Sequence, residues 1–549
     1  MYLRLYRAPV LRRWLTPAAW IAAVTAVLLL LFPYGFPNYD TIYALLWGRE
    51  MAHGMSPDMG AALPPTPHPL AELFGLAATP LGDGAIDLTM ALAYASLGLI
   101  GYLVYRLGSL WFDRPIGAVA ALIVLTRAPY LSNGLRAYID LPYIVLVLGA
   151  LVLETRRQEA IAGEQTKTGE STGPRGELKN GLGREWLVLA LLALAGLLRP
   201  EAWLFSLAYL AYLLLVPEQS ARDREGEERT PLERADTQSA GLIRPALVRA
   251  RGVLSSPRGA ALIALTLAAP ILWALFDWIT AGSPTYSFTG TRETVETLER
   301  QTGPVDLVLY GPRRLGEVLQ WPGMVGALGG IVFALALMRR SRHLPTYRGV
   351  NAGIGIAAAG LALGAFAILA TAGLAIIPRY TMLAAAVLAV FAAFALLGWR
   401  LLERGHPWRR AWQAFAAVVA LMLVAWAPNQ YDLLHRVDVD LTNQSEIEAD
   451  LNEIAGSGAF EPLCLPISVP NHRAVPRLAW DLDVPPSRIV SSSEQRQPRR
   501  GYFLNPASKF VIHNFVLDPN DPARFETDVP SGFHPVARNE SWVLYRRCD

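Results

Sequence analysis

Residues 15–54 read LTPAAWIAAVTAVLLLLFPYGFPNYDTIYALLWGREMAHG. Up to Phe32 the run is apolar and free of charge, and a helix needs about 20 such residues to cross a bilayer. No small-residue cleavage site follows it. Pro33-Tyr34-Gly35-Phe36-Pro37 does, so the run reads as a signal anchor rather than a removable leader. Next come Asn38-Tyr39-Asp40 and a segment, 40–53, with Tyr43, Leu46, Trp47 and Met51 at helical spacing on one face. Gly54 is a natural stop for that helix, which is expected to lie along the membrane surface. A span followed by a long loop with a surface helix points to an all-α polytopic membrane protein.

The rest of the chain agrees. Its 549 residues are 53% hydrophobic and 17% charged, with mean hydropathy +0.29. Soluble proteins carry roughly a quarter charged residues, which excludes a soluble enzyme, a disordered chain and a coiled coil. Eleven spans are expected, at 15–33, 85–105, 116–131, 140–153, 186–198, 202–216, 260–280, 322–338, 350–373, 380–399 and 411–427.

Basic residues set the orientation. The N-terminal stretch and the alternate loops 106–114, 154–184, 217–258, 339–348 and 400–410 hold 28 of the 49, against 9 in the intervening loops before residue 428. The N-terminus is therefore expected in the cytoplasm. Loops 154–184 and 217–258 read as cytoplasmic and partly disordered. An even number of crossings must separate them, so 186–216 should be a hairpin with Arg199-Pro200-Glu201 at its outer tip. One long helix would instead leave Arg199 and Glu201 in mid-bilayer. All but Lys167, Lys179 and Lys509 of the basic residues are arginine; this reads as GC-rich coding in a bacterium, and no nucleic-acid partner is expected.

Two domains follow: a transmembrane one, 1–428, with a long first outer loop at 34–84, and a small extracytoplasmic α/β domain, 429–549. The latter is polar and proline-rich, with strand-like runs at Phe510-Val511-Ile512 and Trp542-Val543-Leu544-Tyr545. Cys464 and Cys548, the only cysteines, lie in it. Outside the cytoplasm thiols oxidise, so a disulfide is expected there, with two unpaired thiols as the alternative.

Polar groups gather in the outer loops. Asp40 and Pro67-His68-Pro69-Leu70 lie in the first, Arg136 and Asp140-Leu141-Pro142 in the second, and Arg199 and Glu201 at the third. The fourth holds Arg292, Glu293, Arg313 and Arg314, and the fifth holds Arg379-Tyr380. Acids and arginines from five loops would thus face one outer cavity.

An acidic residue after the first span, a surface helix ending near glycine, a Pro-Leu segment before the second span, an Asp-x-Pro before the fourth and an Arg-Tyr at a later outer helix start recur together. In that order they resemble GT-C glycosyltransferases, most closely protein O-mannosyltransferases and lipid A aminoarabinose transferases. The family often has Lys-Pro-Pro-Leu where this chain has Pro67-His68-Pro69-Leu70, so a titratable group stands in place of a permanent cation.

The resemblance implies an inverting enzyme of the plasma membrane. It would move a sugar from a polyprenyl-phosphate carrier to a glycan, lipid or protein hydroxyl at the outer face. Asp40 would be the base that takes the acceptor proton; as Asn38 would, it also fits as a helix N-cap. Arg379 would hold the donor phosphate, or snorkel at a helix end. Asp140 would orient the acceptor or an arginine, or simply start a helix. Tyr380, His68, Arg136, Arg199 and Glu201 complete the expected substrate-binding set, Arg199 with Glu201 reading equally as a paired loop tip and His68 as a loop histidine. No metal or other cofactor is required; a divalent cation on Asp40 and Asp140 is the alternative. Competing classes are a transporter, a lipid-linked-sugar handling protein without transferase activity, and a non-catalytic assembly protein. The near-absence of charge inside the spans argues against the transporter.

Overall fold

A computed structural model describes residues 8–168, 184–215, 256–340, 348–460, 464–515 and 526–548. Of the arginine-bearing segments, 154–184 falls outside them from residue 169 to 183 and 217–258 falls outside them up to residue 255. The helix from Asp140 nevertheless runs to Thr168, well past the expected end of its span at residue 153.

Every one of the eleven expected segments is helical. Among the described residues, six helices are long and apolar enough to cross a membrane: Gly84–Trp111, Pro257–Ala281, Trp321–Arg339, Asn351–Thr371, Pro378–Leu401 and Arg409–Gly456. The chain is a multi-pass membrane protein. The third expected span is not one rod. Helices Arg114–Leu125 and Ala128–Leu135 meet at 61°, and Pro129 in the first turn of the second allows the restart. Helices Glu185–Gly196 and Glu201–Leu215 are separate, with Arg199 between them.

The centre is helix Met382–Leu397. It is apolar on every side, and all residues from Met382 to Ala395 are buried, as expected for a helix surrounded by others. The last long helix, Arg409–Gly456, has 48 residues, about 72 Å at 1.5 Å per residue. That is far more than one bilayer core needs. Its first half exposes Leu421 and Val424, while its second half buries Val437, Leu441, Ile447, Leu451 and Ile454 at helical spacing. The change of character expected after Ala427 therefore occurs within one continuous helix.

That second half packs beneath a five-stranded mixed sheet. The strands are β1 (Ile467–Val469), β2 (Ile489–Ser491), β3 (Gly501–Pro506), β4 (His534–Arg538) and β5 (Trp542–Arg547), in the order β2-β1-β3-β5-β4. β1 runs parallel to β2 and β3, and β5 antiparallel to β3 and β4. The run at Trp542 is a strand as expected, but Phe510-Val511-Ile512 is not: Lys509–Phe515 is a helix. Val511 and Phe515 are its buried residues, a four-residue spacing that suits a helix face and not a strand. Cys464 and Cys548 form a disulfide, with Cα atoms 5.7 Å apart.

The sheet unit rests on the first loop. Surface helix Tyr39–Ala52 and helix Pro69–Ala78 cross closely: a Cβ on Gly48 would lie 2.3 Å from Leu76 N, and one on Gly75 2.4 Å from Ala44 O. Tyr43, Leu46 and Trp47 share one buried cluster with Ile447, Trp480, Tyr502 and Trp542. Arg49 lies 4.6 Å over the Trp480 ring and pairs with Asp483 at 3.2 Å. These contacts join segments more than 400 residues apart and fix the first turn of the surface helix.

Candidate active site

Asn38 settles how Asp40 is used. The Asn38 side chain accepts from Asp40 N (2.8 Å) and Thr41 N (3.4 Å), so Asn38 is the N-cap of helix Tyr39–Ala52. Its backbone N–H donates to Arg136 O at 2.8 Å, pinning the turn to the second loop. Asp40, in the first helical turn, is left to project its carboxylate toward Arg379, whose Nη1 donates to Asp40 Oδ2 at 3.1 Å. Burial by itself would raise the Asp40 carboxyl. Arg379, followed by His68 and Arg473, outweighs it and holds the carboxyl below its ordinary value. Arg379 also lies 5.4 Å over both the Tyr138 and Tyr380 rings, and its buried Nε has no hydrogen-bond partner among the described residues.

Arg199 is a second cation at the site, and it is buried. Its Nη2 is ion-paired with Asp140, its Nε lies 3.8 Å from Glu201 Oε1, and its guanidinium sits 4.4 Å over the Tyr380 ring. Asp140 is 1% exposed and stands behind Arg199 rather than on the cavity wall. Of its expected roles it fills that of fixing an arginine. His68 is buried against Trp273, edge to face at 5.8 Å. Burial, with Arg199 nearby, pushes its imidazole down to about 3, so it is neutral at physiological pH. The titratable cation expected at this position is therefore not charged there. Arg136 donates from Nε to Gln444 Oε1 at 2.9 Å and stacks 5.8 Å over Phe36, bracing the second loop against the last helix.

These groups line one cavity of about 1230 Å³, with Asp40, His68, Arg136, Arg199, Glu201, Arg379 and Tyr380 on its wall. The fourth loop adds Arg300, Arg313 and Arg314. One side of the cavity is apolar: Leu204 and Leu207, Pro270, and Ala365, Ile368 and Leu369 come from three helices. Leu207 and Ile368 are more than half exposed. Polar residues also line the cavity: Asp440, Gln444 and Glu448 from the last helix and His472 and Arg473 from the sheet unit.

The second group of residues was not anticipated. Asp440, Gln444 and Glu448 repeat every four residues, a stripe visible in the sequence once the helix is known to continue past Pro428. His472 packs edge-on to Tyr39 at 5.5 Å, and Arg473 lies 5.8 Å over the same ring. Nothing local in the sequence marks either. Arg292, also singled out in the fourth loop, instead sits near Glu296 at 3.9 Å on an exposed face.

The whole layout has a counterpart among solved structures. ArnT from Cupriavidus metallidurans bound to undecaprenyl phosphate superposes with a TM-score of 0.50 at 15% identity, over 97% of this chain and 98% of that one. The chain has the fold of ArnT. The apo state of the same protein gives 0.46 at 15% identity, over 96% and 98% of the two chains. The oligosaccharyltransferase of Archaeoglobus fulgidus in its apo form gives 0.46 at 11% identity, over 87% of this chain and 64% of that one. No family model matches the sequence, and no curated protein does. The likeness to ArnT thus lies in the fold, over nearly the whole length of both chains.

Proposed function

We propose that this chain is an inverting glycosyltransferase that moves a sugar from a polyprenyl-phosphate carrier to an acceptor hydroxyl at the outer face of the plasma membrane. The observation that carries the reading is the Asp40–Arg379 pair at a cavity lined by both apolar and polar residues. Asp40 takes the acceptor proton as the hydroxyl oxygen attacks the anomeric carbon. The bond from that carbon to the carrier phosphate breaks, and its electron pair goes to the phosphate. Arg379, through its unpartnered Nε, and Arg199 meet the charge that develops there. In-line displacement inverts the anomeric centre. The apolar side, formed by Leu204, Leu207, Ile368 and Leu369, admits the prenyl chain from the bilayer. ArnT from Cupriavidus metallidurans, which shares the fold, is bound to undecaprenyl phosphate.

In this reading residues 1–428 form the catalytic membrane domain and 429–549 an extracytoplasmic domain, with the N-terminus in the cytoplasm. Glycan, lipid or protein serves as acceptor. Arginines carry the leaving-group charge, so no divalent cation is required. The test is a transfer assay in membranes containing the protein. Label from a polyprenyl-phosphate sugar is expected to move to an envelope acceptor, and a failure of every such donor to react would overturn the reading.

A further inference from the structure

At the cavity wall between the first loop and the hairpin tip, two hydrogen-bond acceptors are buried and empty-handed. His68 and Glu201 are each 7% exposed. His68 Nδ1 and Glu201 Oε2 have no hydrogen-bond partner among the described residues. The segments that carry them run side by side, with Leu70 N donating to Leu197 O at 3.2 Å. In the neutral ring the tautomer that carries its proton on Nε2 presents Nδ1 as a lone-pair acceptor. Glu201 keeps Oε1 toward Arg199 at 3.8 Å, so Oε2 is the free oxygen.

Beside them stand Trp203 and Trp273, ring centroids 5.8 Å apart. Both indole N–H groups are committed, Trp203 to Gly196 O at 3.0 Å and Trp273 to Ser287 Oγ at 2.9 Å. Only their apolar ring surfaces are left for a ligand. Buried acceptors without donors are costly, and they reject a phosphate, which brings negative charge and further acceptors. They suit a ligand with two donors on an apolar ring face.

We propose that His68 and Glu201, flanked by Trp203 and Trp273, recognise the transferred sugar through two of its hydroxyl groups, while Arg199 and Arg379 hold the carrier phosphate. The inference rests on the transferase reading and divides its donor site in two. It also explains why a histidine serves at position 68: the position binds hydroxyl rather than phosphate, and a permanent cation there would be mismatched.

The experiment measures binding to the purified full-length protein in nanodiscs. The probes are undecaprenyl phosphate and its mannosyl, glucosyl, galactosyl and arabinosyl esters. At least one ester is expected to bind at least tenfold more tightly than the bare carrier. His68→Leu and Glu201→Gln should erase that preference and leave bare-carrier affinity within threefold. His68→Gln, which keeps an acceptor, should restore most of it. Thermal unfolding identifies a variant that has lost its fold, and the remaining variants then decide. Variants that retain the preference, or a wild type that binds no ester better than the bare carrier, would overturn the sugar assignment alone. A wild type that binds neither carrier nor ester would overturn the transferase reading itself.

Discussion

Arg379 Nη1 lies 3.1 Å from Asp40 Oδ2, across 339 positions of sequence. The pair joins the Pro378–Thr381 turn to the first turn of helix Tyr39–Ala52. It leaves Arg379 Nε for a ligand. A charge-assisted hydrogen bond contributes about 1.5–3 kcal/mol, so Arg379→Ala should weaken undecaprenyl phosphate binding about 10–100-fold. Titration of the carrier into the purified variant checks this, and unchanged affinity would remove Arg379 from the phosphate site.

The pair also sets a pH dependence. The Asp40 carboxyl lies below its ordinary value of 3.8. The folded state therefore binds this proton less tightly than the unfolded chain does. Its stabilisation is present above the ordinary value and is lost as pH falls through the lowered one. Asp40 stays ionised across the neutral range, and turnover at saturating substrates should be flat from about pH 5.5 to 7. An acid limb centred near the histidine range would assign the base to another residue.

Asp140 behaves differently from Asp40. It is buried and ion-paired to Arg199, and Glu201 lies no closer than 3.8 Å to that arginine. Breaking a buried pair from one side costs about 3–5 kcal/mol. Asp140→Ala should therefore lower the thermal unfolding temperature clearly, whereas the same change at half-buried Asp40 should lower it little. Equal stability of the two variants would contradict the positioning role.

The Cys464–Cys548 disulfide closes an interval of 84 residues around the sheet unit. Removing a native disulfide typically costs about 2–5 kcal/mol. Cys548→Ser should make the region after residue 464 more sensitive to limited proteolysis, with cleavage mapped by mass spectrometry. Resistance equal to wild type would show that packing against the first loop holds the sheet without the bond.

The membrane helices were legible because a bilayer imposes one strong rule, an apolar run of fixed length. The helix Tyr39–Ala52 was legible through Tyr43, Leu46 and Trp47, although its burial on nearly every side, between the sheet unit and helix Pro69–Ala78, was not. The broken helix at Thr126-Arg127 was hidden because both halves are apolar and a 61° bend leaves the hydropathy unchanged. Asp40, His68, Arg136, Arg199, Glu201, Arg379 and Tyr380 came together on one cavity because loops on one side of a bundle have nowhere else to converge. His472 and Arg473 were missed for the opposite reason. Their place depends on how a separate sheet unit docks, which no local pattern encodes. The helix at Lys509 was misread because three consecutive apolar residues fit a strand as well as a helix.

The most direct test of the account compares wild type with Asp40→Asn in one preparation, measuring sugar transfer and undecaprenyl phosphate binding together. Loss of a general base should lower transfer about 10²–10⁴-fold, with carrier binding and unfolding temperature close to wild type. An Asp40→Asn protein that transfers sugar at the wild-type rate would contradict the central claim.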